Sequence, residues 1–345
     1  MRIAVCFAQV PFVTGGAEAL VESLGGALAA AGHAVELIRI PFKWYPIPFL
    51  LQHALLWRQL DLTESNGVPI DLVIGTKFPS YLVKHPNKVV WLIHQHREAY
   101  DLYDHRYSDF RDDNPEHRAA RQAILNMDTV ALGEARKVYT ISWNVSRRLK
   151  QYNDLDSTPL YPPSKYTDRL RSGAYGDYVL FVGRLDPKKR IRLLVESVKY
   201  MERGVSVVIC GTGNILPELQ ELARAEGVAG RIRFTGYVSD EAVCEYYAHA
   251  LCVVYAPLDE DYGYATIEAF LSRRPVITTE DAGGVLEFVK DGHNGYVIPR
   301  DAKQLARRVN TLHADRALCR RMGDAGHDQV AWIRWPNVLE DLLHA

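Results

Sequence analysis

Four charged side chains in this sequence have types and spacings suited to holding an anion flanked by hydroxyls. Glu260 and Glu268 stand eight positions apart in "LDEDYGYATIEAF", with Gly263 between them, and Arg184 and Lys189 stand five apart in "VGRLDPKKRIRLLVESV". A carboxylate accepts two neighbouring hydroxyls side by side. An arginine fork and a lysine point charge suit a diphosphate, most of all beside unpaired helix N–H groups. If a helix begins near Gly263 or Tyr264, its first N–H groups fall between the two carboxylates, with Glu260 in the loop and Glu268 about one and a half turns inside. One glutamate then grips a ribose and the other a second sugar, with the diphosphate between them, which is the pattern a nucleotide sugar needs.

Each signal has a plainer reading. Lys188, Lys189, Arg190 and Arg192 are bunched and suit a solvated basic turn. Asp259-Glu260-Asp261 also reads as D-x-D, a pattern that holds a divalent cation on a diphosphate, but a metal leaves Arg184, Lys189 and Glu268 without a shared task. Gly15 and Gly16 precede a helical pattern through Ala19, Leu20, Leu24 and Leu28 and let backbone approach a phosphate or sugar, as does any tight strand-to-helix joint. They form neither G-x-G-x-x-G nor a P-loop, so a dinucleotide or ATP site is not supported. His94 and His96, at strand spacing in "WLIHQH", lack the Cys, Asp or Glu neighbours of a metal shell, and no metal or cofactor is expected.

The elements that must position these residues are read from apolar runs. "RIAVCFA", "AVELIRI", "DLVIGT", "KVVWLIH" and "KVYTIS" are strand candidates in the first half, and "YVLFVG", "VSVVICG", "RIRFTG", "LCVVYAP" and "RPVITT" in the second. Segments between them are long enough for crossover helices, which predicts an α/β protein of two doubly wound parallel sheets. Residues 160–178, with prolines, glycines and charges but no period, read as the linker. Ligand chemistry belongs at strand carboxyl ends, hence in a cleft where the two sheets face each other.

The 345 residues suffice for two ordinary domains, and a formal net charge of −1 without a dense basic run makes nucleic acid an unsuitable partner. Five cysteines without CxxC pairing read as buried thiols of a reducing compartment. With no signal-like or membrane-length apolar run, the expected location is cytoplasmic.

These motifs together resemble the retaining GT-B glycosyltransferases grouped as family 4 (glycosyl transferases group 1). "FVGRLDPKKR", "ICGTGNILPEL", "RIRFTGYVSD", "YAPLDEDYGYATIEAFLSRRPVIT", "DAGGVLEFVKDGHNGYVI" and "WPNV" occur in the family's order, most specifically over residues 178–300. "GGAE", "WLIHQH" and "YTISWNVSRRL" carry a looser likeness in the first half. The resemblance implies Rossmann-like domains at 1–165, on the acceptor side, and 166–330, on the donor side, with 331–345 as a helix packing back on the first. It implies Arg184 and Lys189 on the diphosphate, Glu268 on the ribose, Glu260 on the donor sugar, and the backbone of Tyr262, Gly263 and Tyr264 completing the phosphate site. Gly15 and Gly16 would close over the donor. His94 aligns best with the active-site histidine, with His96 as its competitor. The implied reaction is metal-independent transfer of a sugar from a UDP- or GDP-sugar to a saccharide or lipid-linked saccharide, with retention of configuration, in cell-surface polysaccharide or glycoconjugate synthesis. A nucleotide-sugar epimerase or hydrolase, or an inactive sugar-nucleotide-binding subunit, is the alternative.

Three further stretches are ambiguous. "PFKWYPIPFLLQHALLWRQL", residues 41–60, reads as a buried helix or as an aromatic peripheral contact with a membrane surface. Asp128 and Glu134, on a helix expected over 116–136, read as a solvated face. Residues 98–118 read as a solvated stretch or an ordered acceptor-side loop.

Overall fold

A computed structural model describes residues 1–13 and 15–345. It has two compact units, one of Met1–Pro162 with Trp335–Ala345, the other of Pro163–Arg334. Unit 1 contains the strands β1 (Arg2–Gln9), β2 (Ala34–Pro41), β3 (Glu64–Ser65), β4 (Val68–Pro69), β5 (Leu72–Gly75), β6 (Lys88–Leu92), β7 (Lys137–Thr140) and β8 (Thr158–Pro159). Six of them form a parallel sheet in the order β2-β1-β5-β6-β7-β8, and β3 and β4 make a separate antiparallel pair. β5 and β6 are buried at every residue, which is why they read as continuous apolar runs rather than as alternating ones. β3, β4 and β8 have two residues each, too few to show a period, and were not expected from the sequence.

The helices of unit 1 include α1 (Gly16–Ala30), α2 (Pro48–Gln59), α3 (Pro115–Gly133) and α4 (Trp143–Asn153). α3 starts where Asn114 accepts the Glu116 N–H at 2.9 Å and Pro115 fills a first-turn position that has no N–H to satisfy. Asp128 on α3 corrects the solvated-face reading, because it is fully buried and accepts the Tyr100 hydroxyl at 2.6 Å. Glu134 follows the helix and pairs with Arg58, 2.5 Å from Nη1.

Unit 2 has β9 (Tyr178–Val182), β10 (Ser206–Cys210), β11 (Ile232–Gly236), β12 (Cys252–Val254), β13 (Val276–Thr279) and β14 (Gly295–Ile298), with α5 (Ile191–Ser197), α6 (Leu216–Ala225), α7 (Asp240–His249), α8 (Tyr264–Leu271), α9 (Ala302–Ala314) and α10 (Arg316–Val330). Its parallel sheet has the order β11-β10-β9-β12-β13-β14. Chain order therefore reverses between β9 and β12, and a crevice opens outside the carboxyl ends of those two strands. The Arg184 and Lys189 loop follows β9, and the Glu260 loop follows β12. Strand β14 was not among the expected strands, because "GYVI" is short and follows a turn in which Asn294 accepts the Lys290 N–H at 2.8 Å.

Residues 160–178 are not a free connector. The fully buried Arg274 guanidinium donates to Gly173 O at 2.7 Å and to Ser172 Oγ at 3.1 Å, and lies 3.9 Å from the centre of the Tyr175 ring. These partners are about a hundred residues apart in sequence, so local composition cannot reveal them. The final helix, α11 (Trp335–Leu343), belongs to unit 1, where Trp335 meets the buried Trp91 edge-to-face with ring centres 6.1 Å apart. All five cysteines are buried and unpaired in disulfides.

Candidate active site of unit 2

Strand β9 ends at Val182, and the chain turns through Gly183 and Arg184 into a short 3-10 turn at Pro187–Lys189. Asp186 accepts the Lys188 N–H at 2.9 Å and so caps the turn. Arg190, in the left-handed region at φ 52°, is clamped by both Asp281 oxygens at 2.6 and 2.8 Å. Leu258 N–H donates to Lys188 O at 2.8 Å and ties the loop after β12 to this turn. A Cβ on Gly211 would lie 1.9 Å from Gly183 O, so only glycine lets the loop after β10 lie against the one carrying Arg184.

The loop after β12 is fixed by backbone as well. Asp259 N–H donates to Asp281 O at 2.9 Å, and Glu260 N–H to Ala282 O at 3.1 Å. Gly263, the N-cap of α8, has φ +90°, and a Cβ there would stand 2.8 Å from Val285 Cγ2. The helix begins at Tyr264, as its expected start required. Among the described residues the Gly263 and Tyr264 N–H groups have no acceptor, as a helix N-terminus leaves them.

These loops bring Lys189 and Glu260 together. Lys189 Nζ lies 2.5 Å from Glu260 Oε2 and 2.9 Å from the Tyr255 hydroxyl. Burial alone pushes the lysine pKa down, but the Glu260 carboxylate and Tyr255 outweigh it and hold the ammonium above its ordinary value. Arg184 stands apart, exposed, with a guanidinium that has no partner among the described residues.

Glu268 is buried on α8. Its Oε1 accepts Ser164 Oγ at 2.8 Å and its Oε2 accepts the Tyr247 hydroxyl at 2.9 Å. Burial pushes its pKa up, and the two hydroxyl donors pull part of that back. Each oxygen keeps a second lone pair for a ligand hydroxyl. Ser164, Tyr247 and Tyr255 were missed by sequence reading. Ser164 lies in the stretch read as linker, Tyr255 lies in the apolar run "LCVVYAP" that hid its hydroxyl, and Tyr247 lies on α7, where no motif marked it. Among the described residues no three His, Cys, Asp or Glu converge as metal ligands.

In unit 1, Gly15 caps α1 and Gly16 begins it, at the carboxyl end of β1. His94 follows β6, and its Nδ1 lies 2.7 Å from Gln95 O; a carbonyl only accepts, so Nδ1 carries a proton. His96 packs between Phe78 and Phe110, with ring centres 5.6 and 5.9 Å away, and its buried Nε2 has no partner among the described residues. Burial lowers its pKa to about 3, so this ring stays neutral.

Residues 168–329 match the family described as glycosyl transferases group 1. A D-inositol 3-phosphate glycosyltransferase of Streptomyces bingchenggensis is 31% identical over 169 residues, 45% of this chain and 37% of that relative. The lipopolysaccharide core biosynthesis glycosyltransferase LpsE of Rhizobium meliloti is 30% identical over 163 residues, 47% of each chain. This chain thus spans less than half the length of these two relatives. Among solved structures, sucrose-phosphate synthase from Thermosynechococcus elongatus superposes with a TM-score of 0.79 at 19% identity, covering 99% of this chain and 97% of that one. Anabaena HepE, solved with UDP and glucose, gives 0.70 at 16% identity over 100% and 98%. The fold shared with these structures is GT-B.

Proposed function

We propose, from the match of residues 168–329 to the glycosyl transferases group 1 family, that this chain moves a hexose from a UDP- or GDP-sugar to a saccharide or glycolipid acceptor, with retention of anomeric configuration. The observation that carries the reading is the Lys189–Glu260 pair at the crevice between β9 and β12, with Arg184, unpartnered among the described residues, on the same loop as the lysine. A diphosphate supplies what Arg184 lacks, and it competes with Glu260 for Lys189.

Cleaving a nucleotide sugar drives negative charge onto the β-phosphate and positive charge onto the anomeric carbon. Catalysis therefore favours donors aimed at the leaving group before the bond breaks. Arg184, Lys189 and the N–H groups of Tyr262, Gly263 and Tyr264 fill that role in our reading, without a metal. Glu268, held in place by Ser164 and Tyr247, takes the ribose hydroxyls. Glu260, released as the phosphate engages Lys189, takes hydroxyls of the transferred sugar. Retention follows if the acceptor attacks from the leaving-group face and hands its proton to the departing phosphate. We assign the acceptor side to unit 1, where Gly15, Gly16 and His94 lie at strand carboxyl ends. Likeness to LpsE favours a surface polysaccharide or glycolipid product.

The test is a melting-temperature screen of the full chain against UDP- and GDP-sugars with and without EDTA, followed by transfer assays with the stabilising donor. A ligand that binds only the folded state raises its stability with its affinity. One nucleotide sugar should stabilise the protein equally in both buffers. Stabilisation by none would overturn the nucleotide-sugar reading, and stabilisation only with Mn²⁺ or Mg²⁺ restored would overturn the metal-independent one.

A further inference from the structure

Unit 1 contains a cleft of about 590 Å³ lined by Trp44, Tyr45, Pro46, Ile47, Asp109 and His117. Two segments far apart in sequence build it: the entry to α2, and the stretch 98–118 that sequence reading left open. Its floor is apolar, with Ile47 buried. Trp44 and Tyr45 meet edge-to-face with ring centres 5.1 Å apart. Lys43 Nζ lies over Tyr45, 4.8 Å from its centre, which leaves the Trp44 indole as the stacking surface.

The polar groups of the cleft are set in advance. Arg111 N–H donates to His117 Nδ1 at 3.0 Å, so in the neutral ring Nε2 carries the proton and is a donor. Phe110 packs edge-on to that ring, 6.0 Å between centres. Asp109 N–H donates to Glu98 Oε2 at 2.6 Å, which fixes the backbone from which the Asp109 carboxylate projects. Among the described residues the Asp109 carboxylate, His117 Nε2 and Trp44 Nε1 have no hydrogen-bond partner.

We propose that this cleft is a binding subsite for a neutral pyranose ring. A flat aromatic face accepts the C–H face of a sugar, an acceptor carboxylate and an N–H donor lining one cleft offer partners to its hydroxyls, and few placed polar groups on an apolar floor are what orient a small ligand. The acidic lining group is Asp109, which selects against uronic acids and phosphorylated rings. The inference deepens the transferase reading, on which it rests only for its role, by giving the saccharide acceptor specific contacts in unit 1.

Saturation-transfer NMR on the full chain tests it directly, with methyl α-glucopyranoside, methyl α-mannopyranoside, N-acetylglucosamine and maltose as probes and glucuronic acid and UMP as controls. We expect transfer to the ring C–H protons of at least one neutral probe, and weaker transfer to glucuronic acid. Trp44→Ala and Asp109→Asn should each weaken that probe about tenfold, a loss of about 1.4 kcal/mol. Melting shifts given by a nucleotide sugar should be unchanged in both variants. His117→Phe, which keeps the ring but removes the donor, serves should Trp44→Ala fail to fold. No transfer to any neutral probe, unchanged affinity in a folded variant, or displacement of the sugar by UMP overturns the proposal. Saccharide binding without any nucleotide-sugar stabilisation would sink the transferase reading and leave the subsite standing.

Discussion

Lys189 Nζ lies 2.5 Å from Glu260 Oε2, a cation from the loop after β9 closed on a carboxylate from the loop after β12. The contact links the two strands that flank the switch point of the sheet. It also keeps a largely buried ammonium charged, ready for a phosphate that must neutralise it. Lys189→Met should lower turnover about 10²–10³-fold, the usual loss when one preorganised donor to a developing anion is removed. Lys189→Arg should not restore it, because a planar fork does not fit beside the Tyr255 hydroxyl as a compact ammonium does. Steady-state kinetics with the stabilising donor decide this. Turnover within a few-fold of wild type in the methionine variant would remove Lys189 from the mechanism.

The two glutamates should fail differently. Glu260→Ala removes contact with the reacting sugar and should depress kcat, whereas Glu268→Ala removes contact with the unreactive ribose and should mainly raise the donor KM. The structure adds a sharper form of this division. Ser164→Ala leaves the Glu268 carboxylate in place but frees Oε1 from its 2.8 Å hydrogen bond, which is worth about 1 kcal/mol. Donor KM should rise about fivefold with kcat unchanged. Matching losses of kcat and KM in Glu260→Ala and Glu268→Ala would end the assignment.

Much of unit 2 was legible because parallel strands buried on both faces write themselves as apolar runs, and because Gly183 marks where the first of those runs ends and Gly263 where helix α8 begins. The positions of Arg184, Lys189, Glu260 and Glu268 on strand ends and a helix start followed from that. Contacts between distant segments were not legible. Ser164 meets Glu268 and Arg274 meets Gly173 across roughly a hundred residues, and no local period encodes either. Asp128 misled for a related reason: a charge on a helix is normally solvated, and the hydroxyl that meets it, on Tyr100, lies 28 positions away.

Asp128 yields a pH prediction. Burial raises its pKa to about 7, against an ordinary value of 3.8. The native state then binds a proton that the unfolded chain has released, so this stabilisation is complete below about pH 4 and is lost as pH rises toward 7. Its full size is about 4 kcal/mol by linkage, as an upper figure. Asp128→Asn copies the protonated form and should flatten the fall in stability between pH 4.5 and 7, gaining on wild type at the upper end. Urea midpoints of both proteins at the two pH values check it. Parallel pH profiles would show that Asp128 is ionised in the fold.

Residues 41–60 allow a membrane prediction that the structure turns toward the negative. Trp57, one of the two tryptophans that would have to reach the headgroups, is 1% exposed and sits in the core of unit 1. What α2 offers instead is Phe49, Leu55 and Leu56, at 40, 52 and 43% exposure. Burying the remaining surface of those three side chains contributes about 3 kcal/mol, less than a single myristoyl chain, which itself anchors only reversibly. Electrostatic help is small, since Lys43 lies over the Tyr45 and Phe49 rings and Arg58 is paired with Glu134. The protein should therefore stay in the supernatant when centrifuged with either zwitterionic or anionic vesicles that carry no saccharide. Co-sedimentation abolished by Phe49→Ser with Leu56→Ser would overturn this and make α2 a membrane contact. Loss of binding in Trp44→Ala alone, with vesicles bearing a glycolipid, would point to the sugar cleft.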